Sequence, residues 1–284
     1  MAIFFNQATL SYNDNVTNSN VVTGQLLEVL TADKTAVVPT YGQCGGVTYI
    51  ISIRNSGNTP YTALTVTDDL GAYTEGALTL TPLDYVEGSV RYFVNGALQA
   101  SPAVQAGPPL LISGISVPAG GNAVIVYETE TNSFAPPQLE GTITNTAVIT
   151  GQGLLNPVTV SETVAAETSP DLTISKSISP ETVVDNDTLT YTFIIQNYGN
   201  SDAVATDNAI VTDTFDPILD PITVTFNGTT WTEGVDYTYN SATGEFATVA
   251  GRITVPGASF ARDSVTGAWI VTPGVSTLTV SGTV

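Results

Sequence analysis

Only two lysines occur in the chain, Lys34 and Lys176, and they occupy the same position of an internal repeat, 142 residues apart. Each is followed by an aspartate in a matching context, Thr65-Val66-Thr67-Asp68 and Ile210-Val211-Thr212-Asp213. A chain that keeps one lysine per repeat and avoids it elsewhere is not using it as a general solubilising group. In an apolar core, desolvation lowers a lysine's pKa and exposes a neutral, nucleophilic amine. Desolvation acts on an aspartic acid in the opposite sense and keeps it protonated, able to donate a hydrogen bond. The plainer alternative stays open: two strand-start lysines paired with nearby acids. Asp69, next to Asp68, should point to the other face of a strand and is the weaker candidate.

Most other chemistry is excluded by composition. The chain has no histidine and one cysteine, Cys44, in the turn Tyr41-Gly42-Gln43-Cys44-Gly45-Gly46. That rules out a Cys-His nucleophile, an internal disulfide and the usual zinc ligand sets. The formal net charge of −20 comes from six Lys plus Arg against 26 Asp plus Glu. Nucleic acid and anionic membranes, which require basic patches, are therefore not expected partners. Asp185 and Asp187, around Asn186, are a weak Ca²⁺ candidate, and a solvating acidic turn is the preferred reading because no full ligand loop is visible. No apolar run approaches the ~18 residues of a membrane helix, so membrane insertion is not expected. Met1 to Asn6 has neither a basic n-region nor a long apolar stretch and does not read as a conventional signal peptide. Paired carboxylates such as Asp68-Asp69 could serve glycoside hydrolysis, but the repeat explains them, and no enzymatic activity and no cofactor are expected.

The elements that hold these residues read as strands. Charged residues make up only 11% of the chain, and Thr, Val, Ile and Tyr alternate without any amphipathic helical window. Val47-Thr48-Tyr49-Ile50-Ile51 to Asn55-Ser56-Gly57-Asn58 matches Leu189-Thr190-Tyr191-Thr192-Phe193 to Asn197-Tyr198-Gly199-Asn200, and both copies continue to an Asn-Gly turn, Asn95-Gly96 and Asn227-Gly228. The expectation is all-β: two tandem immunoglobulin-like sandwiches, at 31–168 and 169–284. The first copy runs on through Ile143-Thr144-Asn145-Thr146-Ala147 and Val158 to Val164, whereas the second has no counterpart. Phe4-Phe5-Asn6-Gln7-Ala8-Thr9-Leu10-Ser11 instead aligns with Ile143 to Thr150, which makes residues 1–30 the closing segment of a domain whose body lies at the other end. Ile3, Phe4, Phe5, Ala8 and Leu10 are then a donor strand for the second repeat, which is left with an unpaired edge. Insertion into a neighbouring copy, as strand addition, is preferred over folding back within one chain, because in an end-to-end tandem the few residues between Ser11 and the first repeat are too short to cross it; the resulting head-to-tail contact need not close. A chain cut in mid-domain from a longer repeat array is the alternative.

The set of motifs, Lys … Val-Thr-Tyr-x-Ile … Asn-x-Gly-Asn … Val-Thr-Asp … Ile-Thr-Asn-Thr-Ala, resembles the domain-of-unknown-function-eleven repeat of bacterial and archaeal surface proteins. It is similar in layout to the isopeptide-forming Cna-type domains of pilins and adhesins. The resemblance implies an intramolecular bond from a first-strand Lys to a last-strand Asn, promoted by a carboxylic acid. Transferred by position, Lys34, Asp68 and Asn145 form the first set. Lys176 and Asp213 form the second, with Asn6 of a neighbouring copy as acceptor. Gln7 and Thr9 stand where Thr146 and Val148 do, so the donor strand departs from its internal counterpart. The function expected is a structural subunit of an extracellular or cell-surface fibre, a homopolymer whose partners are copies of itself, with any anchor or tip protein unidentified; a spore surface enters by analogy, as a place where fibres form without a conventional signal peptide. A surface adhesin or stalk that binds a ligand through its loops is the alternative.

Overall fold

The computed structural model describes residues 2–284. Alternation of apolar and polar side chains sets the secondary structure: Val47, Tyr49, Ile51, Ile53 and Asn55 turn inward along one strand, and Leu189, Tyr191, Phe193, Ile195 and Asn197 do so along its repeat. The fold is all-β, with one 3-10 turn at Ala205–Asp207 and no α-helix among the described residues. The N-terminal strands are β1 (Ala2–Asn6), β2 (Thr9–Tyr12), β3 (Asn15–Asn18) and β4 (Val22–Leu26). There follow β5 (Leu30–Ala36), β6 (Thr40–Tyr41), β7 (Gly46–Asn55), β8 (Tyr61–Asp68), β9 (Tyr73–Glu75), β10 (Leu78–Leu80), β11 (Leu83–Tyr85), β12 (Arg91–Val94), β13 (Ala97–Leu98), β14 (Ala103–Gln105), β15 (Leu110–Val117), β16 (Asn122–Thr131), β17 (Thr142–Thr150) and β18 (Val158–Ala166). The last group is β19 (Leu172–Ser179), β20 (Thr188–Asn197), β21 (Thr212–Thr214), β22 (Ile222–Phe226), β23 (Thr229–Thr230), β24 (Tyr237–Asn240), β25 (Glu245–Thr248), β26 (Ser259–Arg262), β27 (Trp269–Thr272) and β28 (Gly274–Thr283).

Two compact units result: residues up to Asn132 with Ile143–Val164, and Ser133–Thr142 with Ala165–Val284. The linker-side segment Ser133–Thr142 groups with the second unit because Trp269 donates its backbone N–H to the Ser133 carbonyl and Asn200 its amide to that of Pro137. In the first unit one sheet has the order β13-β12-β16-β7-β5, with β11 also on β16, and the other β14-β15-β8-β17-β18-β6. Leu64, Val66, Ile112, Ile115, Ile125 and Ile149 are buried between them.

The second unit repeats this order up to one point. Its larger sheet, β23-β22-β28-β20-β19, follows β13-β12-β16-β7-β5 strand for strand, and β24-β25-β21 follows β14-β15-β8. Asp68 pairs with Leu110 and Asp213 with Phe246, which fixes the correspondence at residue level. In both units an Asn-Gly pair with positive φ at each residue closes the equivalent hairpin. Where β17 and β18 come next in the first unit, the outer edge of β21 carries no strand among the described residues. β21 is three residues long against eight for β8, as expected of a strand with a partner on one side only.

The N-terminal segment pairs with itself. β1 lies antiparallel to β4 and β2 to β3, around Asn13 and Asp14, both at positive φ. The result is a long hairpin whose apolar side chains are mostly in solvent, Phe4, Phe5 and Leu10 among them.

Candidate functional site

Three strands of the first unit bring Lys34, Asp68 and Asn145 into one buried cluster. Lys34 lies on β5 opposite Ile51, Asp68 ends β8 opposite Ala147, and Asn145 sits two residues before Ala147 on the inward face of β17. The Lys34 Nζ is 2.7 Å from Asp68 Oδ2, and both side chains are wholly shielded from solvent. Asp68 Oδ1 accepts the Leu70 backbone N–H at 3.0 Å, which fixes the carboxylate's orientation. Neighbouring Asp69 turns the other way and accepts the N–H groups of Gly71 and Thr146, fastening β17 to the end of β8.

Two tyrosines that sequence reasoning did not single out complete the cluster. Tyr127 on β16 donates its hydroxyl to Asp68 Oδ2 at 2.5 Å and accepts the Asn145 Nδ2 at 3.3 Å. Its ring stacks on that of Tyr49, its partner on β7, with centroids 5.7 Å apart. The Lys34 Nζ lies 4.9 Å from the Tyr49 ring centroid. The signal available in the sequence was a tyrosine at a core position of the strand facing Tyr49, where an aliphatic residue would pack without a hydroxyl to satisfy.

The electrostatics follow from burial. Desolvation lowers the Lys34 pKa from its ordinary 10.5, and the Asp68 charge opposes that shift. Desolvation, reinforced by the Asp68 charge, pushes the Tyr127 hydroxyl well above its ordinary range, so it remains a donor. Tyr49 moves the same way for the same first cause. Its hydroxyl has no partner at full bonding distance, although the Asn145 amide lies near enough to temper the shift. The Asn145 Oδ1 is also buried without a hydrogen bond. A buried orphan carbonyl costs about 1–3 kcal/mol, so the amide is held in an unrelieved position beside an amine and an acid.

The second unit has the pair without the cage. Lys176 Nζ contacts Asp213 Oδ2, but the two side chains are 40% and 18% exposed, and no hydrogen bond from an asparagine amide to either is seen among the described residues. Tyr191 takes the place of Tyr49, with its ring centroid 4.3 Å from the Lys176 Nζ, and stacks on Phe215. Val280, opposite Tyr191 on β28, stands where Tyr127 does and brings no hydroxyl. Lys176 is partly exposed because the strands that cover Lys34 have no counterpart among the described residues of this unit. Asn6, the expected acceptor, is exposed on β1 opposite Val22, and Ile3, Phe4, Phe5, Ala8 and Leu10 are exposed on the same hairpin.

The Ca²⁺ candidate resolves into a turn: Asn186 is left-handed, and Asp187 accepts the Val184 N–H. No group of three acidic, cysteine or histidine side chains placed to hold a metal occurs among the described residues. No described helix is long and apolar enough to cross a membrane.

No family model matches the chain, so the resemblance to the domain-of-unknown-function-eleven repeat remains an expectation, and no curated protein matches it either. Among solved structures it is similar to the pilus backbone protein of Streptococcus pneumoniae, with 14% identity over 86% of this chain and 55% of that one, at a TM-score of 0.35. The collagen-binding domain of a Staphylococcus aureus adhesin matches at 14% identity over 50% of this chain and 99% of that one, with a TM-score of 0.31. A collagen-binding subdomain of an Enterococcus faecalis surface protein matches at 5% identity over 51% of this chain and all of its own, with a TM-score of 0.32. At these identities and scores the likenesses carry no argument about function.

Proposed function

We propose that the chain is a non-enzymatic structural subunit of an extracellular, cell-surface or spore-surface fibre. Subunits join head to tail, the N-terminal segment of one completing the second unit of the next, and each subunit is stapled internally by a Lys34–Asn145 isopeptide bond. The single observation that carries the reading is the contrast between the units: one sheet order, with the amine, acid and amide caged in the first and the amine and acid left open in the second. The N-terminal segment carries Asn6 and Ala8 in the relation of Asn145 and Ala147, and among the described residues no strand lies beside β21 to supply that pair to the second unit.

The chemistry balances within the cluster. A proton passes from the Lys34 ammonium to Asp68 across their 2.7 Å contact, leaving a neutral amine beside a carboxylic acid. The amine attacks Asn145 Cγ, and negative charge develops on Oδ1, where the protonated Asp68 stabilises it. The Cγ–Nδ2 bond breaks, the second amine proton goes to Nδ2, and ammonia leaves. The product is an amide and a neutral Asp68, so two charges that are costly to keep in a core are gone. Lys176, Asp213 and a neighbour's Asn6 carry out the same steps at the junction. Each site reacts once and does not turn over.

Intact-mass analysis together with a denaturing gel tests this. The expected result is a subunit lighter than its sequence by one ammonia and a ladder of multiples that survives boiling. The Asn6→Ala and Lys176→Ala variants should run as monomers with the internal bond intact. A wild type of full sequence mass, monomeric in detergent and in native sizing, would overturn the proposal.

A further inference from the structure

We propose that the element delivered to the neighbouring subunit is the preformed β1–β4 hairpin as a unit, not a strand peeled from it, and that it docks on β21 in a defined register. The inference rests on the head-to-tail reading above and specifies its partner surface. What the second unit lacks is two adjacent strands, the counterparts of β17 and β18. The hairpin matches both. Val16-Thr17-x-Ser19 repeats Val158-Thr159-x-Ser161, and Leu30-Thr31 repeats Leu172-Thr173, at the same 142-residue spacing as the lysines. Asn6 and Ala8 repeat Asn145 and Ala147 at 139. The three-residue difference falls in the connection, where the tight Asn13-Asp14 turn replaces the longer loop from Gly151 to Pro157. The N-terminal segment is therefore a copy of a strand pair with its turn already closed.

Geometry supplies the register. In the first unit Ala147 faces Asp68, Val148 faces Thr67, Ile149 faces Val66 and Thr150 faces Thr65. Carried across the repeat, Ala8 faces Asp213, Thr9 faces Thr212, Leu10 faces Val211 and Ser11 faces Ile210, and β21 lengthens back to Ile210. Phe4, Asn6, Ala8 and Leu10 then share the face that Ile143, Asn145, Ala147 and Ile149 bury in the first unit. A groove of about 150 Å³, lined by Leu172, Ile174, Ile195, Val211 and Ile253, lies where Leu10 would enter. The exposure of this face marks it as uncovered: Leu30 is 4% exposed in the first unit, and Leu172 at the same repeat position is 36% exposed. Docking as a hairpin keeps every β1–β4 and β2–β3 hydrogen bond, so the ordering cost is met before the encounter. Peeling one strand would forfeit that ladder and leave the other strand as an unpaired edge.

Two sets of variants, made with Cys44→Ser so that no other thiol is present, test this. Ser11→Cys with Val16→Cys joins facing residues of β2 and β3 on the side away from Leu10. Oxidised and reduced forms are compared for assembly by electron microscopy and denaturing gel. The proposal expects the locked hairpin to assemble as readily as the reduced one. Assembly of the reduced form alone would overturn hairpin docking and leave the head-to-tail reading standing. A wild type that never assembles removes that reading and the inference with it. For register, Thr9→Cys with Thr212→Cys should give disulfide-linked multimers, and Thr9→Cys with Ile210→Cys, shifted by two residues, should not. The reverse pattern overturns the register.

Discussion

Replacing Asn145 with alanine removes the acceptor and leaves Lys34 and Asp68 in place, so its cost measures what the bond contributes. A link between Lys34 and Asn145 closes a loop of about 111 residues, and loop-closure entropy of the unfolded chain gives about 5 kcal/mol for that span by analogy with a disulfide. The variant also keeps a buried charged pair that the bond eliminates, a second term of the same sign. For a unit of this size the sum lowers the melting temperature on the order of 15–25 °C. The assay is differential scanning calorimetry of wild type and Asn145→Ala, with intact mass read on the same samples. The transition of the first unit should fall by that amount while that of the second unit stays fixed. A wild type lacking the ammonia loss, or a shift of only ~3 °C, about what one ordinary hydrogen bond is worth, would refute the reasoning.

Other predictions follow from the same cluster and its surroundings. Tyr127→Phe removes the hydroxyl that joins Asp68 to the Asn145 amide, so newly folded protein should close the bond more slowly by mass spectrometry, and the unlinked form should lose about 1.5–3 kcal/mol. An unchanged rate would mean that the hydroxyl is only packing. For pH, burial holds the Lys34 ammonium below 10.5, so between its depressed pKa and 10.5 the unfolded chain binds more protons than the folded one. The burial penalty is therefore fully present below the folded pKa and relieved as pH rises. Urea midpoints of Asn145→Ala should climb as pH rises through the depressed pKa towards 10.5, and wild type, with its lysine converted to an amide as proposed, should not follow. Equal slopes would contradict the bond. Gly274→Ala brings a Cβ within 1.8 Å of the Pro256 carbonyl oxygen, a backbone clash that should cost the second unit about 1–3 kcal/mol or more, read as a drop in its transition alone.

The repeat spacing was legible because strands keep their register and turns keep their chemistry. The Asn95-Gly96 and Asn227-Gly228 turns occupy equivalent hairpins, and Lys34, Asp68 and Asn145, chosen by position, meet in one cluster. Tyr49 and Tyr127 were not legible as a cage, because a core tyrosine looks like packing until the partner of its hydroxyl is known. Lys176 is partly exposed where Lys34 is buried. Its neighbours in sequence repeat those of Lys34, and the difference comes from two strands far away in sequence that are not there to cover it. The self-paired hairpin is harder to see because its two strands match at different spacings, Asn6 and Ala8 to the first closing strand at 139 and Val16-Thr17-x-Ser19 to the second at 142.

The scarcity of lysine also determines how the chain can be cut. If Lys34 and Lys176 are both converted to amides as proposed, four arginines are the only places left for a trypsin-type protease. Arg54, Arg91 and Arg262 lie in paired strands, and Arg252 is held by Asp236 at 3.3 Å. Such proteases need several residues of yielding backbone, which exposed loop tips provide and sheet ladders do not. A polymer of this chain would then offer the commonest digestive specificity almost no substrate, through its economy of basic residues.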